Sequence, residues 1–351
     1  MTETELPDDP FPVKVAKRAR VQAYWCRRLG SPLYGDLIER VAGDVEAGGP
    51  FLDLMSDPDV DPLINVPMLR LMGATNRLAL TGRAPELAET YANGDSDAAW
   101  EALVALARER PEEVSAELNR PVQTNEVGRC GPLAAGFLFL AREAGLPLRL
   151  REVGASAGLN LRFDQYRYET DCGPWGPDDS PVRLTGFWDG GEPPYGGDVA
   201  VRERSGCDPE PVDPCTDEGR ITLLSYVWPD QRERVANLRG ALDLAREVPA
   251  QVDRSAGLPW IERELAELPD GAATVVYHSI VMPYLEQEER DDFAAALARA
   301  GERARPDAPL AWLQMEYGGE ECELRLTTWP GGEQRVIATC GFHGRNVVWL
   351  A

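Results

Sequence analysis

The chain has 351 residues, of which 43% are hydrophobic, and a formal net charge of −23 from 59 acidic and 36 basic residues. This length and apolar content are enough for one large globular domain or two ordinary ones. An electrostatic field of this sign repels nucleic acids and anionic membrane surfaces at long range. The charge therefore disfavours polyanionic partners, and we expect a small-molecule substrate, no nucleic acid and no membrane.

The first residues, MTETELPDDP, are acidic, whereas a signal peptide is basic and then apolar. No stretch approaches the ~18 uninterrupted apolar residues of a membrane-spanning helix, so we expect a cytoplasmic protein. The seven cysteines are scattered without a C-x-x-C spacing, and only two histidines are present. This composition predicts reduced thiols, no disulfide framework and no metal site.

Residues 12–120 have a helical pattern, with apolar residues at three- and four-residue spacing in four segments. These segments cover residues 13–29, 32–45, 66–82 and 97–110, and glycine and proline breaks separate them. The pattern predicts an N-terminal helical cap domain over residues 1–120.

Residues 121–351 alternate between strands and helices, which predicts an α/β domain with a mostly parallel sheet covered on both faces. Predicted strands cover residues 148–153, 199–207, 250–253, 273–281 and 310–316. Predicted helices cover residues 132–144, 158–166, 222–247, 259–268 and 286–305, with Pro229 interrupting the third of them. Residues 170–197, rich in Gly, Pro, Asp and Trp, are an expected insertion with an extra strand in VRLTGFW.

The end of the chain predicts an antiparallel hairpin, with strands at residues 322–329 and 335–340 and a final extended piece at 346–350. A parallel sheet that ends in a hairpin resembles the class I methyltransferase topology. A plain dinucleotide-binding fold would continue with parallel strands.

The first predicted strand ends in an acid, and small residues follow it at two-residue intervals, in the order Glu152, Gly154, Ser156 and Gly158. This E-x-G-x-S-x-G spacing resembles the E/D-x-G-x-G-x-G turn of S-adenosylmethionine (SAM)-dependent methyltransferases. Small side chains let the backbone approach a cofactor, and a helix N-terminus offers free N–H groups. The alternative is a tight turn that needs small residues whatever binds there. Ser156 replaces the middle glycine, which fits if its φ is negative.

The second predicted strand leads into Asp208, within GCDPEP. This segment is similar to the methyltransferase segment whose acid accepts hydrogen bonds from the ribose hydroxyls, so Asp208 is a cofactor candidate. The alternative is a solvated turn. Asp253, near the end of the third strand, is a weaker match for an adenine-side acid.

His278 ends the strongest apolar strand, and ligands bind at the carboxyl ends of strands in open α/β sheets. Imidazole suits proton transfer near neutral pH, so His278 is the catalytic candidate, with Tyr284 beside it and Ser279 lining the same pocket. The alternative is a histidine satisfied by hydrogen bonds in the core. The sequence has no G-x-S-x-G elbow of a serine hydrolase.

Polar residues before the apolar helix at 132–144 are candidates for the substrate pocket, namely Asn125, Glu126 and Arg129, although ordinary helix capping is the simpler explanation. Asn160 and Asp164 lie at i and i+4 on one predicted helical face. We expect Asn160 to contact the cofactor and Asp164 the substrate, unless this face points into solvent.

Several segments together resemble a bacterial family of unknown function: QTNEVGRCG, EVGASAGLNLRFDQYRYE, YVWPDQRERVANLRGAL, VVYHSIVMPYL and HGRNVVWL. The resemblance covers nearly the whole chain. It implies a class I methyltransferase-like (Rossmann-like) core behind a helical N-terminal region and brings no assigned substrate. Together with the turn after the first strand and the net charge, it leads us to expect a methyltransferase with SAM as the cofactor and a small molecule as the methyl acceptor. Two alternatives remain: a non-catalytic protein that binds a nucleoside ligand on this fold, and a hydrolase or other SAM-using enzyme built around His278.

Overall fold

The computed structural model describes residues 9–55, 66–171 and 173–351, and the chain forms two compact units. One unit contains the described residues up to Thr124 together with Asp217–Val235. The other contains Asn125–Thr216 and Ala236–Ala351. The first unit is helical and the second is α/β.

The α-helices of the described residues are α1 (Phe11–Arg28), α2 (Pro32–Glu46), α3 (Pro50–Met55), α4 (Pro67–Leu80), α5 (Pro85–Asn93), α6 (Ser96–Glu109), α7 (Pro111–Leu118), α8 (Cys130–Ala144), α9 (Asp217–Ser225), α10 (Arg232–Glu247), α11 (Gly257–Glu264) and α12 (Gln287–Gly301). The strands are β1 (Leu148–Val153), β2 (Arg167–Thr170), β3 (Gly173–Trp175), β4 (Arg183–Leu184), β5 (Trp188–Gly190), β6 (Val201–Asp208), β7 (Gln251–Arg254), β8 (Ala273–Ser279), β9 (Leu310–Tyr317), β10 (Cys322–Trp329), β11 (Glu333–Cys340) and β12 (Val347–Trp349). Short 3₁₀ helices cover Val127–Arg129, Leu159–Gln165 and Met282–Tyr284.

The helical unit owes its helix boundaries to residues with strong local preferences. Proline lies in the first turn of α2, α4, α5 and α7, where its fixed φ suits a helix and its missing N–H needs no partner. Ser31 caps α2 by accepting a hydrogen bond from the Tyr34 N–H, and Gly94 ends α5 with a φ of 71°. The four predicted helical segments correspond to α1, α2, α4 and α6.

Helix α9, which follows β6 in the chain, belongs to the helical unit because α4 binds it. Asn76 donates from its side-chain amide to the carbonyl oxygens of Ser225 and Val227 at 3.0 and 3.3 Å. Arg77 donates to both carboxylate oxygens of Glu218 at 2.6 Å. These bonds fix α9 against α4 and satisfy carbonyl oxygens at its end.

The α/β unit contains a nine-stranded sheet in the order β5-β12-β11-β10-β9-β8-β1-β6-β7. The neighbours from β7 to β9 pair in parallel, and β9, β10, β11 and β12 pair antiparallel. The prediction of an α/β fold with a large, mostly parallel sheet is confirmed. This arrangement is compatible with a Rossmann-like fold.

The strand order reverses between β1 and β8. The chain proceeds outward from β1 through β6 to β7 and then returns to β8 and β9 on the other side of β1. Ligands of open α/β sheets bind outside the carboxyl ends of the strands at such a reversal. We therefore expect a ligand site at the residues that follow Val153 in β1 and Ser279 in β8.

Helices cover both faces of the strands at this reversal. On one face, Phe137 of α8 packs edge-on against Tyr277 of β8, with ring centroids 4.9 Å apart. On the other face, Phe293 of α12 packs against His278 and Trp312 at 6.1 and 5.8 Å. Strand β8 is therefore buried on both sides, which explains its continuous apolar sequence.

Two segments differ in detail from the sequence prediction: the segment after β1 is a 3₁₀ helix, and β8 ends at Ser279. The predicted interruption of the helix at 222–247 is present, because Pro229 lies between the end of α9 at Ser225 and the start of α10 at Arg232. The expected insertion contributes β5 to the large sheet and contains β3 and β4, which form a small sheet with β2. In the described ranges, no helix combines the length and apolar character needed to cross a membrane.

Candidate functional site

The turn after β1 has three residues in the left-handed region at two-residue intervals: Gly154, Ser156 and Gly158, with φ of 69°, 52° and 66°. Glycine reaches this region without steric cost, whereas serine does not. The negative φ that would make Ser156 an easy replacement for glycine is therefore absent. This backbone path accounts for the small-residue spacing even without a ligand.

Five successive backbone N–H groups of this turn, from residue 155 to residue 159, all donate hydrogen bonds within the protein. The N–H groups of residues 155 and 158 donate to the carbonyl oxygens of Cys207 and Ala155, respectively. Two more, those of residues 157 and 159, donate to Asn125 Oδ1 at 3.2 and 3.0 Å. The N–H of Ser156 donates to Asp208 Oδ2 at 2.9 Å. Asn125 and Asp208 thus occupy the donors that the sequence offered to a cofactor.

Asp208 lies at the end of β6, where both its carboxylate oxygens accept backbone hydrogen bonds. Besides the bond from Ser156, Oδ1 accepts from the Glu210 N–H at 2.9 Å. The Val212 N–H donates to the Ser156 carbonyl oxygen at 3.1 Å. These bonds hold Ser156 in its left-handed conformation. Asp253, by contrast, is engaged with Trp260 and Arg263, away from this turn.

Glu152 is buried at the end of β1, and this burial raises its pKa from 4.5 to about 8. Hydrogen bonds from Tyr277, at 3.2 Å, and from Asn160 oppose the rise. Asn160 in turn accepts a hydrogen bond from the Cys130 thiol at 3.3 Å. Glu152 and Asn160 are therefore joined in a buried network in which Glu152 is protonated at neutral pH.

Asp164 does not share this network, because the segment is a 3₁₀ helix and not the predicted α-helix. It forms a two-pronged ion pair with Arg204, at 2.6 and 2.9 Å. This pair joins the 3₁₀ helix to β6.

Both ring nitrogens of His278 are engaged, and the side chain is fully buried. The Trp312 indole N–H donates to Nε2 at 3.0 Å, so Nε2 is an acceptor and the ring proton lies on Nδ1. Nδ1 is 2.7 Å from Oε1 of Glu316 and donates to it. The neighbours of the imidazole therefore fix its tautomer and its orientation.

Glu316, in β9, connects His278 to the segment that follows β8. Its Oε1 also accepts from the N–H groups of Val281 and Met282, at 2.8 and 3.4 Å. Its other oxygen, Oε2, is buried and has no hydrogen-bond partner among the described residues. One carboxylate thus orients the imidazole and holds the start of the segment.

The segment after β8 begins with Ile280 at a φ of 56°, which is unfavourable for a β-branched residue. Val281 then packs over the turn after β1: a Cβ added to Gly154 would lie 2.5 Å from Val281 Cγ2. Gly154 nevertheless remains exposed, and it is the one exposed residue between positions 151 and 163. The two strand ends therefore meet at Gly154.

Arg129 joins the start of α8 to the end of β8. Its Nη1 donates to the carbonyl oxygen and the hydroxyl of Ser279 at 2.9 and 3.3 Å, and its Nε donates to the Phe342 carbonyl oxygen at 3.2 Å. Glu126 accepts from the Gly128 N–H and so caps the short helix before α8. Tyr284 lies on the surface of the segment after β8, with 69% of its area exposed.

A family model described as an uncharacterized protein conserved in bacteria (DUF2332) matches residues 16–349. The chain belongs to this family. No curated protein matches the chain. The resemblance to a bacterial family of unknown function is thus confirmed.

In this DUF2332 member, the sequence analysis did not predict three residues that contact the site, Trp312, Glu316 and Phe342. Alternation along β9 was the available signal, because it puts Trp312 and Glu316 on the face that His278 also uses. The described residues contain no group of three or more His, Cys, Asp or Glu side chains able to hold a metal ion. Their six cysteines are free thiols, and Cys172 lies outside the described residues.

Proposed function

We propose that this protein is a class I, SAM-dependent methyltransferase that acts on a small-molecule acceptor. The observation that carries the proposal is the exposed backbone of Gly154 beside the reversal of strand order, where α/β sheets bind ligands. A side chain at this position would collide with Val281, so the turn keeps bare, exposed backbone at the end of β1. The spacing that resembles the methyltransferase turn supports the same cofactor.

Asp208 would hold the ribose hydroxyls of the cofactor. A carboxylate offers about four lone-pair sites, and two of them accept the N–H groups of Ser156 and Glu210. The remaining sites have the chemistry that ribose hydroxyls require. When bound, SAM supplies an electrophilic methyl group, and the residues of the chain align the acceptor with it.

His278 would assist an acceptor that must lose a proton. Its Nε2 becomes a base only when the hydrogen bond from Trp312 is released, since the indole N–H now occupies that lone pair. Glu316, on the opposite nitrogen, would stabilise the positive charge of the protonated ring.

Isothermal titration with SAM and S-adenosylhomocysteine tests the proposal directly. We expect both to bind the wild type, and we expect Gly154→Ala to weaken binding about tenfold or more, because the new methyl group displaces Val281. Gly145→Ala is the matched control, since Gly145 also has a positive φ, 61°, but open space around it. No binding of either compound at millimolar concentration contradicts the proposal.

A second candidate is a protein that binds a nucleoside ligand without turnover. The internal hydrogen bonds of the turn amides and of both His278 nitrogens favour it, because these groups are already bonded within the protein and are not free to bind or activate a substrate. Incubation with methyl-labelled SAM and a metabolite extract separates the two candidates. Transfer of label that His278→Ala slows favours the methyltransferase, binding without transfer favours the second candidate, and cleavage of SAM without transfer indicates another SAM-using enzyme.

A further inference from the structure

A cluster of one arginine and three aromatic rings lies beside the carboxyl ends of β8 and β9. We name it the arginine–aromatic cluster, and its members are Arg129, Tyr284, Tyr317 and Phe342. The Tyr317 and Phe342 rings are in contact, with centroids 5.1 Å apart and planes inclined by 55°. The carbonyl oxygen of Phe342 accepts from Arg129 Nε at 3.2 Å, so Arg129 and the two rings lie together. Burial, Cys322, Tyr284 and Glu316 raise the pKa of the Tyr317 hydroxyl, and Arg129 opposes the rise.

Arg129 has no carboxylate partner within the described part of the chain. Its Nη1 and Nε donate to Ser279 and to a backbone carbonyl oxygen, and its Nη2 donates no hydrogen bond to a described residue. Elsewhere in the same unit, Arg204 and Arg151 are bonded to carboxylates, whereas Arg290 and Arg303, like Arg129, donate to backbone carbonyl oxygens. In a chain with a net charge of −23, a half-buried guanidinium that meets no acid favours an anionic ligand.

Two of the aromatic members, Tyr284 and Tyr317, are exposed. Among the described residues, the large hydrophobic side chains that are exposed include three aromatic ones, Tyr24, Tyr284 and Tyr317, and two of these three belong to the cluster. Tyr317 is 49% exposed although it contacts Phe342. Exposed aromatic side chains beside a cation that has no acidic partner among the described residues offer flat apolar area together with positive charge, which suits a planar anion.

We propose that the arginine–aromatic cluster binds a small aromatic carboxylic acid. Its carboxylate pairs with Arg129 and the hydroxyl of Ser279, and its ring packs against Tyr317 and Phe342, with Tyr284 at the open side. The proposal concerns recognition alone. It goes beyond the proposed function, which names no acceptor, and it holds whether or not a methyl group is transferred.

Three probe compounds test separately how much the negative charge and the planar ring of the ligand contribute to the affinity: benzoate, benzamide and cyclohexanecarboxylate. We expect benzoate to bind at least about tenfold more tightly than either of the others, because benzamide lacks the charge and cyclohexanecarboxylate lacks the planar ring. Titration calorimetry measures the three affinities, once without SAM and once with it. Equal affinities, or no benzoate binding in either condition, overturn the proposal.

Variants locate the binding site. Arg129→Met and Tyr317→Leu should each weaken benzoate binding about tenfold or more, whereas Tyr24→Leu, which removes an exposed tyrosine of the other unit, should not change it. Arg129 also joins α8 to β8, so Arg129→Met is compared with Tyr284→Leu, whose surface position carries no such bonds. Tyr284→Leu should weaken benzoate binding about threefold. Unchanged affinity in all three cluster variants overturns the proposal.

The experiment also distinguishes this proposal from the proposed function. Benzoate binding without any SAM binding supports the arginine–aromatic cluster and contradicts the methyltransferase. SAM binding without benzoate binding supports the methyltransferase and contradicts the arginine–aromatic cluster.

Discussion

The turn after β1 and the segment after β8 flank the same reversal of strand order, but they use their polar groups differently. In the turn after β1, the backbone N–H groups from residue 155 to residue 159 are all bonded within the protein. In the segment after β8, Tyr284 is exposed. Beside this segment, and counting the described residues alone, one oxygen of Glu316 has no hydrogen-bond partner and Arg129 has no carboxylate partner. We call the first strand end closed, because its backbone N–H groups are all bonded within the protein, and the second open, because Tyr284 is exposed there.

The difference indicates that the two strand ends have different roles. The closed turn keeps its backbone in one conformation and exposes Gly154, whereas the open strand end provides the positive charge of Arg129 and exposed aromatic side chains. Both ends contain a residue in the left-handed region other than glycine, Ser156 and Ile280. Strain of this kind persists only where surrounding bonds hold it, and it occurs preferentially at functional sites.

The largest expected effect concerns Glu316, which holds the open strand end. Glu316→Ala leaves the N–H donors of His278, Val281 and Met282 without their acceptor, so we expect the free energy of unfolding to fall by about 3 kcal/mol or more. Urea denaturation measures the change. Glu316→Gln keeps one acceptor oxygen and should lose less than about 2 kcal/mol. Equal losses in the two variants would mean that the carboxylate does not act through these bonds.

The next effect concerns Gly154, where the two strand ends touch. Gly154→Ala adds a methyl group 2.5 Å from Val281 Cγ2 at a φ of 69°, and we expect a loss of about 2 to 3 kcal/mol in unfolding free energy. Gly145→Ala has a similar φ without the collision and should lose only about 1 kcal/mol. The double variant Gly154→Ala, Val281→Ala should recover part of the difference. No recovery contradicts the contact between the two ends.

Much of the architecture around this comparison follows from the sequence. Strand β1 was predicted at its observed bounds, Leu148–Val153, because a short apolar run before small residues is a strong strand signal. The mostly parallel sheet followed from the alternation of elements. Arg129 and Ser279, both predicted for the pocket, do lie within hydrogen-bond distance of each other.

The parts that could not be predicted depend on contacts between distant residues. Asn125 lies more than thirty positions before the N–H groups it accepts from, so nothing local showed that it occupies the turn donors. Ile280 adopts a φ that its own preferences oppose, and the prediction therefore extended β8 two residues too far. The bond between His278 and Glu316 needs the pairing of β8 with β9, which an individual strand pattern does not fix.

Acid-base behaviour gives a further test, because Glu152 at the closed end is protonated in the folded state. Its pKa is raised from 4.5 to about 8, so the folded protein binds more protons than the unfolded chain between these values. This extra proton binding stabilises the folded state relative to the unfolded chain; the stabilisation is fully present below pH 4.5 and is lost as the pH rises through 8. We expect Glu152→Gln to reduce the fall in unfolding free energy between pH 5 and 8.5 by up to about 4 kcal/mol. An identical pH dependence in both proteins contradicts a protonated Glu152.

The smallest expected effect concerns the hydrogen bond that occupies Nε2 of His278. Trp312→Phe removes the indole donor while keeping an aromatic ring, and we expect a loss of about 1 kcal/mol in unfolding free energy. Trp188→Phe removes an indole bond of the same 3.0 Å length to a carbonyl oxygen near the surface and should cost less. The ¹⁵N shifts of His278 should retain the Nδ1–H tautomer in Trp312→Phe, because Glu316 still accepts that proton. A switch to the Nε2–H form would instead show that Trp312, and not Glu316, sets the tautomer of His278.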